Sequence, residues 1–286
     1  MAYISEATMK ILNVTRAHST QDGAGVKIQR IAGFDGKSLD PFLMIDELKS
    51  NNSQDYIGGF PAHPHRGIET FTYIRKGGFE HQDQMGNKKA IRAGQVQWMS
   101  TGRGVIHSEM PLADAQHGMH GFQIWLNMAA KDKMNTPKYQ DSSDRVLPFI
   151  INESGAQLTA LAGNWTESQQ SISSGLDELA GTGAISDIWL KAHSAVHLDL
   201  SHYGKVLAYI HTGALKDSRH QAGYLLNLDP QAPIHIESQD QAAGLLLLAG
   251  QPINERIAHM GPFVMNTQEE LKQAVRDYQA GKFGSI

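Results

Sequence analysis

The feature that most restricts this chain is its rhythm. Short runs rich in β-branched and aromatic residues are stopped again and again by Gly, Asn, Asp or Pro. Residues 42–48, 68–74, 91–99, 122–126, 185–191, 206–211, 224–228 and 245–248 read as strands. In 68–74, Thr70 and Thr72 alternate with Phe71 and Tyr73, the pattern of a pleated surface with two different faces. Met85-Gly86-Asn87-Lys88 reads as a hairpin turn. Many short strands joined by close turns predict an all-β protein built from sandwiches or small barrels. One helix is expected near the C-terminus. Thr267 and Glu270 form a capping box, Leu271, Val275 and Tyr278 share a face, and Gly281 stops it.

With 286 residues, two ordinary domains are expected. The polar run at 139–143 places the division as 1–140 and 141–286. The Ser-, Gly- and Gln-rich stretch 167–183 reads as a loop. Tyr73-Ile74-Arg75-Lys76-Gly77 and Tyr209-Ile210-His211-Thr212-Gly213 suggest a repeat offset by 136 residues. That offset carries Val96 and Trp98 onto Ala232 and Ile234.

Composition removes several function classes. Hydrophobic residues make up 41% and charged residues 19%, as in a packed globular chain, and the net charge is −4. No basic surplus favours direct nucleic-acid binding. The absence of cysteine excludes disulfides, thiolate metal sites and a cysteine nucleophile. Residues 1–13 lack the apolar core of a signal peptide, and the longest apolar run, 242–249, is too short to span a bilayer. A cytoplasmic protein with no membrane association is expected. Neither a phosphate-binding loop nor a nucleophile elbow is present.

The chemistry concentrates in two segments. His63 and His65 are two residues apart, so an extended chain points both imidazoles to one side. His107 and Glu109 repeat that spacing on a second segment. Two such strands facing each other would offer three nitrogens and one oxygen. That set suits one iron per chain, and also manganese, nickel, copper or zinc. Glu69, an even number of residues from His65, is a rival carboxylate or one that backs the ligands. His81, His117 and His120 read as ordinary histidines, and Arg66 as a structural partner for a carboxylate. In the second half His193, His197, His202 and His211 show no paired spacing, and the 136 offset maps the four candidates onto Asp199, Ser201, Ala243 and Leu245. The second half therefore reads as lacking this metal set.

These motifs resemble the pirin family, a branch of the cupin superfamily. Gly58-Gly59-Phe60-Pro61-Ala62-His63-Pro64-His65-Arg66-Gly67-Ile68-Glu69 is similar to the pirin form of the first cupin motif. Gln97 to Pro111, containing Gly102-Arg103-Gly104-Val105-Ile106-His107-Ser108-Glu109, is similar to the second. Gln123-Ile124-Trp125-Leu126-Asn127 and Gly261-Pro262-Phe263-Val264-Met265-Asn266 extend the likeness over most of the chain. The general cupin pattern takes its carboxylate ligand near Glu69 and has Asn where Pro111 stands. The pirin branch takes the carboxylate at Glu109.

The resemblance implies two stacked jelly-roll cupin barrels with a C-terminal helix, and one iron in the N-terminal barrel held by His63, His65, His107 and Glu109. It implies one of two roles. The first is quercetin 2,3-dioxygenase activity on a flavonol and O2, with Glu109 as ligand and base. The second is an iron-dependent redox-sensing regulator acting through a protein partner. A closed pocket of drug-like volume would favour the enzyme, and an exposed apolar patch at the metal's mouth the regulator.

Overall fold

The computed structural model describes residues 9–34, 39–113, 117–217 and 219–286, so most of the amino-terminal segment read for a leader lies outside the described residues. Alternation along the chain becomes strands almost throughout. One helix, Gln268–Gln279, and two single 3-10 turns complete the regular elements among the described residues. No helix among them is long and apolar enough to cross a membrane.

The chain folds as two units. One comprises His18–Val146 and Ile253–Ile286, the other Met1–Ala17 and Leu147–Pro252. Besides the break at Val146/Leu147, the two ends of the chain are exchanged between the units. Strand Ile11–Arg16 pairs with Tyr224–Leu228 at the edge of the second unit's large sheet. Residues beyond Pro252 return to the first unit. Edge pairing and helix docking are long-range contacts that no local composition signals.

Each unit is a jelly-roll sandwich of a seven-stranded and a four-stranded sheet, open at its edges rather than closed as a barrel. In the first unit the large sheet runs Lys138–Asp141, Gln95–Ser100, Ile68–Lys76, Met119–Asn127, Phe42–Ser50, Val26–Ala32, His18–Asp22. Its small sheet runs Phe60–His65, Val105–Pro111, Gly78–Asp83, Lys88–Arg92. Val26, Ile28, Leu48 and Ile74 of the large sheet meet Phe79 and Ile91 of the small one in a common core. In the second unit Leu245, Leu247, Ile188 and Ile210 likewise meet Val196, Leu198, Ile234 and Ile236. Burial of each such side chain is worth about 1.5–3 kcal/mol.

Most expected strands are present with boundaries within a few residues. The run 91–99 is two strands, Lys88–Arg92 and Gln95–Ser100, parted by a turn at Gly94. The stretch 167–183 is not all loop, since Asn164–Glu167 and Gln170–Ser173 form a hairpin. The turn at Met85–Lys88 is present. Asp83 Oδ1 accepts the backbone N–H groups of Met85 and Asn87 at 2.9 and 3.1 Å. The repeat survives as topology, but Tyr224–Leu228, not 232–234, takes the place of Gln95–Ser100.

The capping box closes as expected: Thr267 Oγ1 accepts from Glu270 N at 3.2 Å, and Thr267 N donates to Glu270 Oε2 at 2.8 Å. The buried face carries Leu271, Ala274 and Asp277, whereas Tyr278 is exposed. Asp277 is inward because it meets Arg66. Arg66 Nη1 donates to Asp277 Oδ2 at 2.9 Å, Arg66 Nε donates to the Arg103 carbonyl at 2.6 Å, and the guanidinium lies 4.6 Å from the centre of the Phe283 ring. The predicted structural role of Arg66 is thus realised across 211 residues of sequence.

Lys282 first, and then Arg66, hold the Asp277 carboxyl well below the usual carboxylate range. Its stabilising contribution is therefore present above the ordinary pKa near 3.8 and is lost as pH falls below it. Asp277→Ala, which leaves a buried guanidinium short of a partner, should cost about 3 kcal/mol in urea unfolding at pH 7. The gap between variant and parent should narrow when the same unfolding is repeated progressively below pH 4.

Candidate metal site

The site is built on the small sheet of the first unit. Strand Val105–Pro111 lies between Phe60–His65 and Gly78–Asp83. Register sets His107 opposite His63 on one side, and Glu109 opposite His81 on the other. Period-2 alternation turns Val105, His107 and Glu109 inward, and all three are buried. The ring centroids of His63 and His107 are 4.4 Å apart, those of His63 and His65 4.8 Å, and those of His65 and His107 5.1 Å.

Donor atoms of His63, His65 and His107 lie within 4.8 Å of one another, as do those of His81, His107 and Glu109. The structure forms two overlapping triads that share His107, and Glu109 falls with His81 and His107 rather than in the triad of His63 and His65. The second triad brings in His81, which its sequence context marks as an ordinary histidine. Its inward position follows from its pairing opposite Glu109, which no spacing in the sequence reveals.

Burial first, and the neighbouring histidines second, push His65 and His107 well below the ordinary imidazole range. Neutral imidazoles present lone pairs, as metal ligation requires. Both ring nitrogens of His107 and Nδ1 of His81 are buried without a hydrogen-bond partner. Groups of this kind ordinarily cost about 1–3 kcal/mol each. A neutral imidazole carries one lone pair, so a cation could take one nitrogen of His107 and Nδ1 of His81 and relieve that part of the cost, and to that extent the donor set fits a metal. The other nitrogens are oriented from behind: His63 Nδ1 lies 2.8 Å from the Pro61 carbonyl, and His65 Nδ1 3.4 Å from the Pro262 carbonyl.

Glu109 is held as firmly. Its Oε1 accepts a short hydrogen bond from Gln97 Nε2 and lies 3.0 Å from Thr72 Oγ1. Thr72 Oγ1 is also 2.6 Å from Gln123 Oε1. A hydroxyl has one proton, and a carboxylate is the stronger acceptor. We assign that proton to Glu109, with the Gln123 amide turned to donate to Thr72. Oε1 is then occupied and Oε2 is left for a cation.

Glu69 does not join either triad. The turn at Arg66–Gly67 separates it from His65, so even spacing does not carry across. Gly67 has φ +79°, and a Cβ there would run into the Val264 carbonyl. On the strand that follows, Thr72 and Ile74 line the cavity, while Glu69 faces the other way and accepts from Trp98 Nε1 at 3.0 Å. Lys133 was not legible as a site residue at all. Buried, it donates to the carbonyls of Gly67 and Val264 at 2.7 and 3.0 Å and to Asn127 Oδ1 at 2.8 Å. It thereby ties the turn after His65 to the C-terminal segment, and burial lowers its pKa to about 8.

His63, His65 and Glu109 open onto a cavity of about 690 Å3. Leu48, Phe60, Phe79, Phe122 and Trp125 supply apolar wall. Arg30 and Asp46 also line it, Arg30 donating from Nε and Nη2 to the two Asp46 oxygens at 2.9 and 2.8 Å. Phe34 and His259 stack there at 3.6 Å between ring centres.

Residues 25–126 match the family described as Pirin, and residues 185–284 match the Pirin C-terminal cupin domain. The chain belongs to the pirin family. A Vibrio cholerae protein that carries a provisional name as a quercetin 2,3-dioxygenase is 42% identical over 277 residues, covering 96% of this chain and 97% of its own length. The crystal structure of quercetin 2,3-dioxygenase from Acinetobacter baumannii aligns with TM-score 0.83 and 29% identity, covering 98% of this chain and all of that one. A bacterial pirin from Escherichia coli, solved in complex with nickel(II), shares the fold with TM-score 0.60 and 20% identity, covering 84% of this chain and 99% of its own.

Because His107 belongs to both triads, His107→Ala should abolish metal loading at this buried site, measured by elemental analysis of iron-loaded, purified protein. Glu69→Gln should leave the metal content unchanged. Gln97→Leu, which frees Glu109 Oε1, should weaken metal affinity about 10–100-fold without removing a ligand.

Proposed function

We propose that this pirin is an iron-dependent dioxygenase that opens the ring of flavonol-type substrates, with His63, His65, His107 and Glu109 holding one iron per chain. The observation that carries the proposal is that half-buried His63, buried His65 and buried Glu109 open together onto one largely apolar cavity. Its volume, about 690 Å3, lies in the range of small-molecule sites. The names carried by the Vibrio cholerae and Acinetobacter baumannii relatives support the same reading.

Iron, when bound, would lower the pKa of a coordinated hydroxyl and provide the site at which O2 meets the substrate. The protein's part is positional. Phe60, Phe79 and Phe122 offer faces against which a planar aromatic substrate can lie. The same walls exclude water from the ring to be opened. Arg30 and Asp46 offer a paired donor and acceptor to phenolic hydroxyls. With Oε1 engaged by Gln97 and Thr72, Glu109 has only Oε2 to offer, so it would serve as the base for the substrate hydroxyl through Oε2 and only while that oxygen is not a ligand. O2 is the oxidant, and both its atoms enter the ring-opened product.

The test is quercetin-dependent oxygen uptake by anaerobically iron-loaded protein, beside His63→Ala and Glu109→Ala. Uptake near one O2 per quercetin consumed, lost in both variants while the β circular dichroism spectrum is kept, is the expected result. Turnover that persists in metal-free protein would sink the mechanism. Iron bound without uptake would leave the metal site standing and favour a regulator that signals iron's oxidation state to a protein partner.

A further inference from the structure

The second unit repeats the strand scheme that builds the metal site. In the first unit, Phe60–His65 precedes the large-sheet strand Ile68–Lys76, and Val105–Pro111 follows Gln95–Ser100. In the second, Ala195–Leu198 precedes Lys205–Thr212, and Ile234–Glu237 follows Tyr224–Leu228. Each pair consists of hydrogen-bonded neighbours in the small sheet. His63 stands directly opposite His107, and His197 stands directly opposite His235.

The facing is inverted. Inward positions of the second pair carry Val196, Leu198, Ile234 and Ile236, all buried. The histidines take the alternate positions on the outer face, His197 exposed and His235 half-buried. Their Nδ1 atoms are 3.0 Å apart and their ring centres 4.2 Å. Two ring nitrogens this close need a proton or a cation between them. With metal–nitrogen bonds of about 2.0–2.1 Å, a 3.0 Å separation corresponds to an angle of about 90° at the metal, whereas a tetrahedral ion would spread them to about 3.4 Å. A right angle is the bite of tetragonal Cu(II) and Ni(II) sites. Behind the pair, Glu237 Oε2 lies 3.5 Å from His235 Nε2, where a carboxylate can orient a ligating imidazole. Lys216 anchors that carboxylate at 2.9 and 3.0 Å.

We propose that His197 and His235 form an exposed two-histidine site for a tetragonal divalent cation, Cu(II) or Ni(II), distinct from the buried site of the first unit. Two protein ligands leave the other positions to water, so the cation there exchanges readily.

Tag-free, full-length protein is titrated with Cu(II), Ni(II) and Zn(II) by calorimetry, and the Cu(II) form is examined by electron paramagnetic resonance. The parent chain should take one more equivalent of Cu(II) than His197→Ala, His197→Gln or His235→Ala, each with unchanged far-ultraviolet circular dichroism. His107→Ala should keep that outer equivalent and its nitrogen hyperfine pattern. Ni(II) should bind there about tenfold more tightly than Zn(II), a preference that bite angle creates and that the general affinity order does not enforce. Equal Cu(II) stoichiometry in the parent and both His197 variants would overturn the proposal. So would loss of the outer equivalent in His107→Ala. The 3.0 Å contact would then be a simple N–H···N hydrogen bond. Zn(II) binding as tightly as Ni(II) would overturn the geometric argument.

Discussion

The first unit is organised around a desolvated imidazole. His107 is buried and neither ring nitrogen has a hydrogen-bond partner. Such a residue is held where backbone pairing fixes it from both sides and a partner can use its one lone pair. Both conditions hold. The strand carrying His107 is paired along each edge, to Phe60–His65 and to Gly78–Asp83. The three further donor residues expected from sequence sit on that strand or its paired neighbour, and His81 on the other.

Fixing the ligand strands requires help from far along the chain. Pro262 reaches His65 through its carbonyl, Asp277 meets Arg66, and Val264 shares Lys133 with Gly67. The C-terminal segment thus braces the turn between His65 and Ile68 at three points. This explains why residues 253–286 belong to the first unit although they follow the second in sequence. It also gives the capped helix a role beyond covering a sheet, since its Asp277 neutralises a buried guanidinium beside the ligand pair.

What was legible in the sequence follows from what is local. Alternation, turn chemistry and the capping box report on neighbours a few residues apart, so strands, the hairpin at Met85–Lys88 and the helix could be read directly. The spacing of His63 with His65 and of His107 with Glu109 is local too, and the resemblance supplied how the two halves meet. Cross-strand partners are not local. His81 joins the cluster of His107 and Glu109 only through its register with Glu109. Gln97 and Thr72 matter only because their strands lie side by side and turn the same face to that carboxylate. Glu69 shows the opposite failure. Its even spacing from His65 was real, but the turn at Gly67 resets the alternation, and a one-residue change of phase moves a side chain to the other face.

The same parity rule explains how one strand scheme gives the two units different chemistry. In the first unit the facing strands spend their inward positions on His63, His65, His107 and Glu109, and the interior there is an open cavity. In the second, the matching inward positions are aliphatic and complete a continuous core with Leu245 and Leu247. A constant 136-residue offset cannot see this, because the segment between the central strand and its return differs in length between the units. Strand order can. It sets His197 against His235 as it sets His63 against His107, but one step out of phase, on the face that meets water. In the first pair His107 is buried and His63 half-buried at the cavity wall. Exposure leaves the second pair hydrated, with a geometry fixed only by strand register, so any cation held there is held by bite angle and not by enclosure.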